Sequence, residues 1–573
     1  MRAGILNGQR GGISSRVALR LLAVLAMATG ASVMAATPAP VASAVSTPVA
    51  SVSDPPLVQT QQGPVQGVIR HGVLEFRGIP FGSDVSGENR WTLARPAPVR
   101  EGVLYANSFQ PPCAQAGRYG ITEASNNENC LHLNISRPFM PGVPLEAQKR
   151  PVLVWIHGGS FVGGSASLYR LDRLAREADA VVVSVNYRLG VLGFMPHPDF
   201  EPRHNGGYAL EDQRLAMRWV KENIEAFGGD VSNITLAGES AGGSSVCMHL
   251  LTPEHTEGLF HKAIIQSAAC SFGLREVTSR EAFGQQVGEA AGCADSSTRL
   301  QCMKQVDVQD LIAAADKVAG SDLMAMAPVY GNETVPRQSL DSLESGRFVR
   351  VPVLYGGTRD ELRLWVGYAV QAGEQINAGN YLAKLREVYG DNAERVKKAY
   401  PAGHFQSAAA ALGSVMSDFR PDNGINHCQY VDTAALLSRQ VPVYFSEFAD
   451  RNAPVLGVSM PASPVPDFEL GAVHSAELNY FFPYFSNNSR LDAPDLPPAS
   501  EALSQQLVAT WASFIRTGIP GAPGLPAWEP FNNQRQGLRF APGAIQPLSP
   551  AAEYQCDFWQ SLYPQAFAGS KAK

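Results

Sequence analysis

The chain has 573 residues, 45% of them hydrophobic, which is enough to bury a large core and excludes an intrinsically disordered chain. Its formal net charge is −6, so it lacks the basic excess that nucleic-acid-binding proteins carry. Length alone favours roughly three or four domains, and the composition excludes a fibre, a coiled coil and a polytopic membrane protein.

The N-terminal segment has a composition unlike that of a folded domain. Basic residues precede an apolar run at residues 21–34 that ends in small residues, and we predict a signal peptide over residues 1–35. An uncleaved anchor is the alternative, but the run is short and rich in Ala and Gly for a membrane span. Residues 36–56 are rich in Ala, Pro and Ser and predict a flexible linker. We therefore expect an exported protein, periplasmic or secreted, with no membrane span in the mature chain.

The next part of the chain alternates strands with helices. After a β-rich segment at residues 57–81, apolar runs lead into Gly-rich turns and then into amphipathic stretches. Several runs are continuously apolar, which indicates burial on both faces of a mostly parallel sheet flanked by helices, an α/β fold. Ligands of such sheets bind beyond the carboxyl ends of the strands. The predicted strands are residues 151–156, 181–187, 234–238, 263–267, 351–356 and 441–448.

One helix has a clear amphipathic pattern at residues 210–227. Charged residues lie opposite an apolar stripe, and the following Gly228 is suited to end the helix. The stripe consists of Leu215, Trp219, Ile224 and Phe227.

A glycine-rich loop follows the first buried strand, at residues 157–164. Glycines there allow backbone N–H groups to approach a reacting carbonyl and to stabilise an oxyanion. A phosphate-binding loop is excluded because no Gly-Lys-Ser/Thr follows. We expect the amides of Gly159 and Ser160 to be oxyanion donors and Phe161 to support the substrate pocket.

A candidate nucleophile lies in the segment Gly-Glu-Ser-Ala-Gly at residues 238–242. The G-x-S-x-G pattern is weak alone, but here it connects a strand to a helix start rich in small residues. That context predicts Ser240 on a sharp turn with its Oγ exposed at the helix N-terminus. A Ser that caps the helix is the alternative. Ala241 would supply a third oxyanion donor, and Glu239 is expected to tune the local field or to hold a water.

A nucleophilic Ser needs a His base and a carboxylate, which on this sheet type follow it in the order acid, then His. Three His residues follow the later strands: His404, His427 and His474. His474 lies in a loop after the strand at 441–448, the position that such a base requires. For the acid, the residues alone leave Asp360 and Glu361 open, and Glu477 lies on the wrong side of His474 in chain order.

No metal or cofactor is expected. The sequence has no HExxH, no CxxC and no Cys/His cluster with metal-ligand spacing. No GxGxxG follows the first strand, which disfavours a dinucleotide-dependent oxidoreductase. The eight cysteines suit an oxidising compartment in which disulfides form.

These motifs together resemble the type-B carboxylesterase and cholinesterase family of α/β-hydrolases, over residues 57 to about 565. The resemblance is carried by FRGIPFG, NENCLHLNIS, WIHGGSF, VNYRLGVLGF, LEDQRLAMRWVKENIEAFGGD, ITLAGESAGG, AIIQSA, DEL, GAVHSAELNYFF, WASFIRTGIP and CDFW. It implies an α/β-hydrolase catalytic domain with helical insertions over residues 57–573. It also implies a triad of Ser240, Glu361 and His474, which favours Glu361 over Asp360.

The resemblance further implies the disulfides Cys113–Cys130, Cys293–Cys302 and Cys428–Cys556. Cys247 and Cys270 remain: they are either free or a fourth pair, and their positions in the predicted elements favour unpaired thiols. Ser160 replaces the third glycine often found in the family's oxyanion loop. The first disulfide loop also lacks the Trp that binds choline in cholinesterases, which argues against acetylcholine as the substrate.

The expected activity is hydrolysis of a small-molecule carboxylic ester through an acyl-enzyme intermediate. A lipase, an amidase or a carbamate hydrolase on the same scaffold is the first alternative. A non-catalytic, adhesion-type binding protein of the same family is the second, although such relatives lack the nucleophile and all three triad residues are present here.

Overall fold

The apolar, β-branched runs of the sequence form one large sheet. The computed structural model describes residues 55–117, 124–320, 322, 324–454, 468–483, 485, 496–532 and 534–567. Its strands are β1 Leu57–Thr60, β2 Gly63–Gln66, β3 Val68–Arg70, β4 Val73–Pro80, β5 Leu104–Tyr105, β6 His132–Pro138, β7 Arg150–Ile156, β8 Val181–Val185, β9 Gly229–Glu239, β10 Lys262–Gln266, β11 Arg275–Glu276, β12 Val329–Tyr330, β13 Val353–Thr358, β14 Val443–Phe448, β15 Gly537–Ala541 and β16 Ala544–Leu548.

The main sheet has the strand order β16-β15-β14-β13-β10-β9-β7-β8-β6-β4-β3. The strands from β8 to β15 in this order are parallel, and antiparallel strands flank them at both edges. The six predicted strands correspond to β7, β8, β9, β10, β13 and β14, which are consecutive neighbours in the parallel part. The predicted α/β class and the mostly parallel sheet are therefore confirmed.

Helices surround this sheet and connect its parallel strands. They are α1 Asp172–Ala178, α2 Gly190–Gly193, α3 Tyr208–Asn223, α4 Ala241–Leu250, α5 Pro253–Thr256, α6 Val277–Ala290, α7 Arg299–Gln305, α8 Val308–Ala319, α9 Ser339–Glu344, α10 Arg363–Gln371, α11 Tyr381–Tyr389, α12 Ala393–Ala399, α13 Ala408–Asp418, α14 His427–Leu437, α15 Leu478–Phe481, α16 Pro498–Thr517, α17 Pro550–Glu553 and α18 Cys556–Leu562.

Both faces of the sheet are buried, because successive residues of a strand pack into different hydrophobic clusters. In β7, Val154 packs in the cluster that also contains residues of α3, α4 and α14. The next residue, Trp155, packs in the cluster that contains residues of α1 and α16. A third cluster joins α2 to the helices α6, α7 and α8, which are inserted between β10 and β13. The described residues all belong to one compact unit.

The helix α3 differs from its prediction on its charged side. The predicted stripe is buried as expected, although α3 ends at Asn223 and its last two members lie in the short 3-10 helix Ile224–Phe227. Asp212 and Arg214 are fully buried too. Asp212 binds Arg188 at 2.7 Å, and Arg214 binds Thr252 Oγ1 at 2.8 Å. A second layer of chain covers this part of the helix, so these two residues form an internal ion pair and hydrogen bonds, whereas Arg218, Lys221 and Glu222 are exposed to solvent.

The structure contains four disulfides. The three that the family resemblance implied are formed, and the expectation that Cys247 and Cys270 stay unpaired is wrong, because they form the fourth. Cys247 lies in α4, which follows β9, whereas Cys270 follows β10. Since β9 and β10 are adjacent, the two Cα atoms lie 5.1 Å apart. The bonds are Cys113–Cys130, Cys247–Cys270, Cys293–Cys302 and Cys428–Cys556.

The predicted signal peptide, residues 1–35, lies outside the described residues, as does nearly all of the predicted linker at 36–56. In the described part of the chain, no helix has both the length and the apolar character that a membrane span requires.

The disulfides differ in the length of chain they close, 128 residues for Cys428–Cys556 and 9 for Cys293–Cys302. Because a longer closed loop restricts the unfolded chain more, replacing Cys428 and Cys556 by Ala should lower the free energy of unfolding by about 2 kcal/mol more than replacing Cys293 and Cys302. Urea unfolding of both double variants measures the difference. Equal losses, or the reverse order, would contradict this expectation.

Candidate active site

Ser240 lies on a sharp turn between β9 and α4. Its φ of 58° is in the left-handed region, which is a strained conformation for a residue with a side chain. The turn requires glycines on both sides, because a Cβ on Gly238 would lie 2.5 Å from the Gly242 carbonyl oxygen and one on Gly242 would lie 2.1 Å from the Ile156 carbonyl oxygen. The tight turn holds the Ser240 Oγ above the end of the sheet.

Three side chains from the ends of different strands form one hydrogen-bonded chain. His474 Nε2 lies 2.8 Å from Ser240 Oγ, and His474 Nδ1 lies 2.7 Å from Glu361 Oε2. Ser240 follows β9, Glu361 follows β13, and His474 lies in a loop after β14. The structure therefore brings together the three residues that the family resemblance selected.

The Glu361 carboxylate is fully buried, and hydrogen-bond donors surround it. Its Oε1 accepts hydrogen bonds from the Thr358 amide and the Tyr430 hydroxyl, both at 3.0 Å. Burial alone would raise the pKa of Glu361, but the charge of His474 and its hydrogen bond to the carboxylate hold that pKa below its usual value. Glu361 is therefore ionised next to the imidazole.

A second carboxylate, Glu239, lies on the other side of the imidazole. Its Oε1 lies 3.3 Å from His474 Nε2 and accepts a hydrogen bond of 2.6 Å from the Ser475 hydroxyl. Burial raises the pKa of Glu239, although the charge of His474 opposes that shift. Burial also lowers the pKa of His474, but the carboxylates of Glu239 and Glu361 outweigh it, so that this pKa lies above its usual value.

The three predicted oxyanion donors lie beside Ser240. Gly159, Ser160 and Phe161 all have positive φ angles, of 118°, 54° and 64°, which turn the loop next to Ser240. In the described part of the chain, no residue accepts a hydrogen bond from the amides of Gly159, Ser160 or Ala241. These N–H groups are therefore available to a substrate oxygen.

A buried glutamine holds the far end of this loop. The side-chain Nε2 of Gln115 donates to the Gly164 carbonyl at 3.0 Å, and the backbone amide of Gly164 donates to Gln115 Oε1, also at 3.0 Å. The sequence does not predict the bond of Gln115 to the glycine-rich loop, because a single Gln in the first disulfide loop has no distinctive pattern.

The alternative candidates have other contacts. His427 stacks on Tyr554 with ring centroids 3.7 Å apart, and His404 lines a separate polar cleft. Asp360 contacts Arg451 and the backbone of the loop before His474 rather than the imidazole. Glu477 is buried, and its carboxylate oxygens have no hydrogen-bond partner among the described residues.

Two clefts meet at Ser240. The larger, of about 820 Å³, contains Phe161 and Ala241, and none of its described lining residues is charged. Its apolar wall is made by Met248, Phe272, Leu274, Met324, Ala327, Pro328 and Ile425. The smaller, of about 580 Å³, contains His474, Glu239 and Gly159.

Trp365 lines both clefts, and its ring centroid lies 5.0 Å from that of His474. Trp365 is not among the residues predicted from the sequence. Its position four residues after Glu361, in a helix that begins at the active-site edge, is the signal that would have identified it. The described residues contain no group of three His, Cys, Asp or Glu side chains that could hold a metal ion.

The chain is similar to known carboxylesterases. The model of the carboxylesterase family matches residues 54–559. The chain is 31% identical to para-nitrobenzyl esterase of Bacillus subtilis (strain 168), over 81% of this chain and 90% of that protein. It is 31% identical to fumonisin B1 esterase of Sphingopyxis macrogoltabida, over 93% of this chain and 95% of that protein. A solved structure of PNB esterase superposes with a TM-score of 0.71 at 28% identity and covers 87% of this chain and 98% of its own.

The chain therefore belongs to the carboxylesterase family and has the α/β-hydrolase fold. It is a serine carboxylesterase, an enzyme that hydrolyses carboxylic esters. This excludes the non-catalytic binding protein that the sequence left as an alternative.

The pKa of His474 should differ between the wild type and a variant that lacks the charge of Glu239. Protonated His474 stabilises the fold, because folding raises the pKa of the imidazole. This stabilisation is fully present below the pKa in the unfolded chain, about 6.5, and it is lost as the pH rises through the pKa in the folded protein. Glu239→Gln removes one of the carboxylate charges that raise the pKa of His474, so we expect that pKa to fall. NMR titration of the labelled imidazole, assigned with His474→Gln, measures the pKa. An unchanged or higher pKa in Glu239→Gln would contradict this account.

Proposed function

We propose that the enzyme hydrolyses its ester through a triad of Ser240, Glu361 and His474 and through an acyl-enzyme intermediate. The observation that carries the proposal is the continuous hydrogen-bonded chain from Ser240 Oγ through His474 to Glu361, with contacts of 2.8 and 2.7 Å. A base within hydrogen-bond reach of a hydroxyl, oriented by a carboxylate, is the arrangement that activates a serine nucleophile.

In the first half of the reaction, His474 Nε2 takes the proton of Ser240 as Oγ attacks the ester carbonyl carbon. The negative charge moves to the carbonyl oxygen, where the amides of Gly159, Ser160 and Ala241 stabilise it. The C–O bond to the alcohol then breaks, and the proton on His474 passes to the leaving oxygen. Ser240 retains the acyl group as an ester.

In the second half, a water takes the place of the alcohol. His474 removes a proton from this water as its oxygen attacks the acyl carbon, and the same amides stabilise the second tetrahedral intermediate. When the bond to Ser240 Oγ breaks, His474 returns the proton to Ser240 and the carboxylic acid leaves. Glu361 keeps Nδ1 protonated throughout, so that Nε2 is the basic atom.

The two clefts support an assignment of the substrate. The leaving oxygen must lie near His474 Nε2 to receive its proton, so the smaller cleft, which His474 lines, takes the alcohol. The acyl group then lies in the larger cleft, where Phe161 and the apolar wall surround it. Because none of the described residues of that cleft is charged, the favoured substrates carry neutral, apolar acyl groups.

The same proposal includes export. Four disulfides in one chain support an oxidising compartment, in agreement with the signal peptide predicted at residues 1–35 and the linker predicted at 36–56. Residues 57–573 are proposed as the catalytic domain. Mass spectrometry of the mature protein recovered from its native host tests this part, since cleavage after about residue 35 is the expected result.

Replacing the nucleophile tests the triad directly. Ser240→Ala should abolish turnover of p-nitrophenyl acetate and of p-nitrobenzyl esters, because no other described residue lies in hydrogen-bond reach of His474 Nε2 with a hydroxyl group. The circular dichroism spectrum and thermal midpoint should stay near those of the wild type, since the small side chain suits the turn. Retention of a large fraction of the activity by folded Ser240→Ala would refute the proposed mechanism.

The apolar cleft predicts discrimination against charge. The value of kcat/KM for p-nitrophenyl butyrate should exceed that for the p-nitrophenyl hemiester of succinic acid by about 100-fold or more, because the succinyl carboxylate loses its hydration without gaining a partner. The leaving group is the same in both substrates, which serves as the control. Equal values for the two esters would show that the acyl group does not occupy the apolar cleft.

A further inference from the structure

The loop that carries His474 is held by the residue next to the triad acid. We call residues 471–476 the base loop. The Asp360 amide donates to the Ala472 carbonyl at 2.8 Å, and the Ala472 amide donates to Asp360 Oδ2 at 3.0 Å. Asp360 therefore binds both backbone groups of Ala472, two residues before His474.

Two arginines fix the carboxylate of Asp360. Arg451 Nε lies 3.1 Å from Oδ2, and Arg363 Nε lies 3.3 Å from Oδ1. The Arg363 guanidinium also donates to the Glu469 carbonyl at 3.0 Å, just before the base loop. Only 5% of Asp360 is exposed, and its contact with Arg363 is buried, whereas Arg451 reaches it from a polar cleft and is 36% exposed. The two arginines thus fix the orientation of the carboxylate that accepts the hydrogen bond from the base loop.

The base loop approaches Asp360 too closely to accept a larger residue. Gly471 has a φ of 77°, and a Cβ at that position would lie 2.4 Å from Asp360 Oδ2. The glycine is therefore required by its conformation and by the contact with the carboxylate. A methyl group there would have to displace the carboxylate or the loop.

Asp360 and Glu361 are consecutive, so one short segment controls both the backbone and the ring of the base. Glu361 binds the imidazole at Nδ1, and its carbonyl accepts a longer hydrogen bond of 3.3 Å from the His474 amide. On the opposite side, the loop is held by the bond from Ser475 to Glu239. Without the Asp360 carboxylate, the Ala472 amide would lose its acceptor. The base loop would then be held on this side by the backbone bond from the Asp360 amide to the Ala472 carbonyl, by the packing of Ala472 and Val473 and by the long bond to Glu361.

We propose that Asp360 is a positioning residue for ester hydrolysis: its carboxylate, fixed by Arg363 and Arg451, holds the base loop so that His474 Nε2 stays within hydrogen-bond reach of Ser240 Oγ. This inference rests on the proposed function of Ser240, Glu361 and His474. Asp360 touches neither the imidazole nor the clefts at Ser240, so it acts through the base loop and not on the substrate.

Two substitutions at Asp360 distinguish its hydrogen bond to the Ala472 amide from its ion pairs with the arginines. Asp360→Asn keeps an acceptor for the Ala472 amide but loses the charge that binds the arginines, whereas Asp360→Leu loses both. We expect kcat for p-nitrophenyl butyrate to fall about tenfold in the first variant and about 100-fold in the second, as expected for a small misplacement of the base. The inhibition constant of butyrate should change less than twofold, because Asp360 lines neither cleft. Gly471→Ala, which displaces the same contact from the loop side, should lower kcat without changing that constant.

Glu447→Gln is the matched control for loss of a buried carboxylate. Glu447 lies in β14, is fully buried and binds Arg539 at 2.5 Å, but it has no contact with the base loop. All rates are measured per folded molecule, determined by circular dichroism, and a kcat near the wild-type value is expected for the control. If Asp360→Leu does not fold, Asp360→Asn and Gly471→Ala carry the test.

Each outcome has one meaning. A graded loss of kcat from Asp360→Asn to Asp360→Leu, with an unchanged inhibition constant, supports the inference. A kcat within twofold of wild type in the folded Asp360 variants, or a loss no larger than that of Glu447→Gln, overturns it. Ser240→Ala is assayed in parallel: its inactivity beside fully active Asp360 variants would leave the triad intact and refute only the role of Asp360.

Discussion

The 2.7 Å contact between the Glu361 carboxylate and His474 Nδ1 is the interaction on which the rest of the site depends. A fully buried carboxylate is costly unless its oxygens are bound, and here the Thr358 amide, the Tyr430 hydroxyl and the imidazole bind them. Since one ring nitrogen is fixed by Glu361, the other must point at Ser240. The surrounding loops therefore serve to keep one imidazole in one orientation.

The parallel sheet makes this arrangement possible. Glu361 and His474 are 113 residues apart in sequence, and Ser240 and His474 are 234 residues apart. Their loops meet because β9, β10, β13 and β14 are neighbours whose carboxyl ends lie at one edge of the sheet. The walls of the larger cleft, in contrast, come mainly from α4, α10 and the loops around the inserted helices. Substitutions in those walls can therefore change the ester that is preferred while the reacting groups stay in place.

Much of the architecture could be predicted from the sequence, because buried parallel strands have continuous apolar runs and the turn at Ser240 has a fixed local pattern. The predictions that were wrong concerned contacts between segments that are distant in the sequence. The Cys247–Cys270 bond follows from the adjacency of β9 and β10, which no local pattern reveals. The burial of Asp212 in α3 follows from a covering layer that contributes Arg188. The residues alone could not separate Asp360 from Glu361, since both follow β13, and the structure shows that neighbouring acids of the same loop have different partners.

Covalent labelling tests the central account most directly. A neutral organophosphate requires a nucleophile activated by its base, so the wild-type enzyme should acquire one adduct per molecule, and peptide mass spectrometry should locate it on Ser240. The rate of labelling should fall by orders of magnitude in His474→Ala and in Glu361→Gln, although both variants retain the serine. An adduct on another residue, or labelling of Ser240 at the wild-type rate in His474→Ala, would contradict the account.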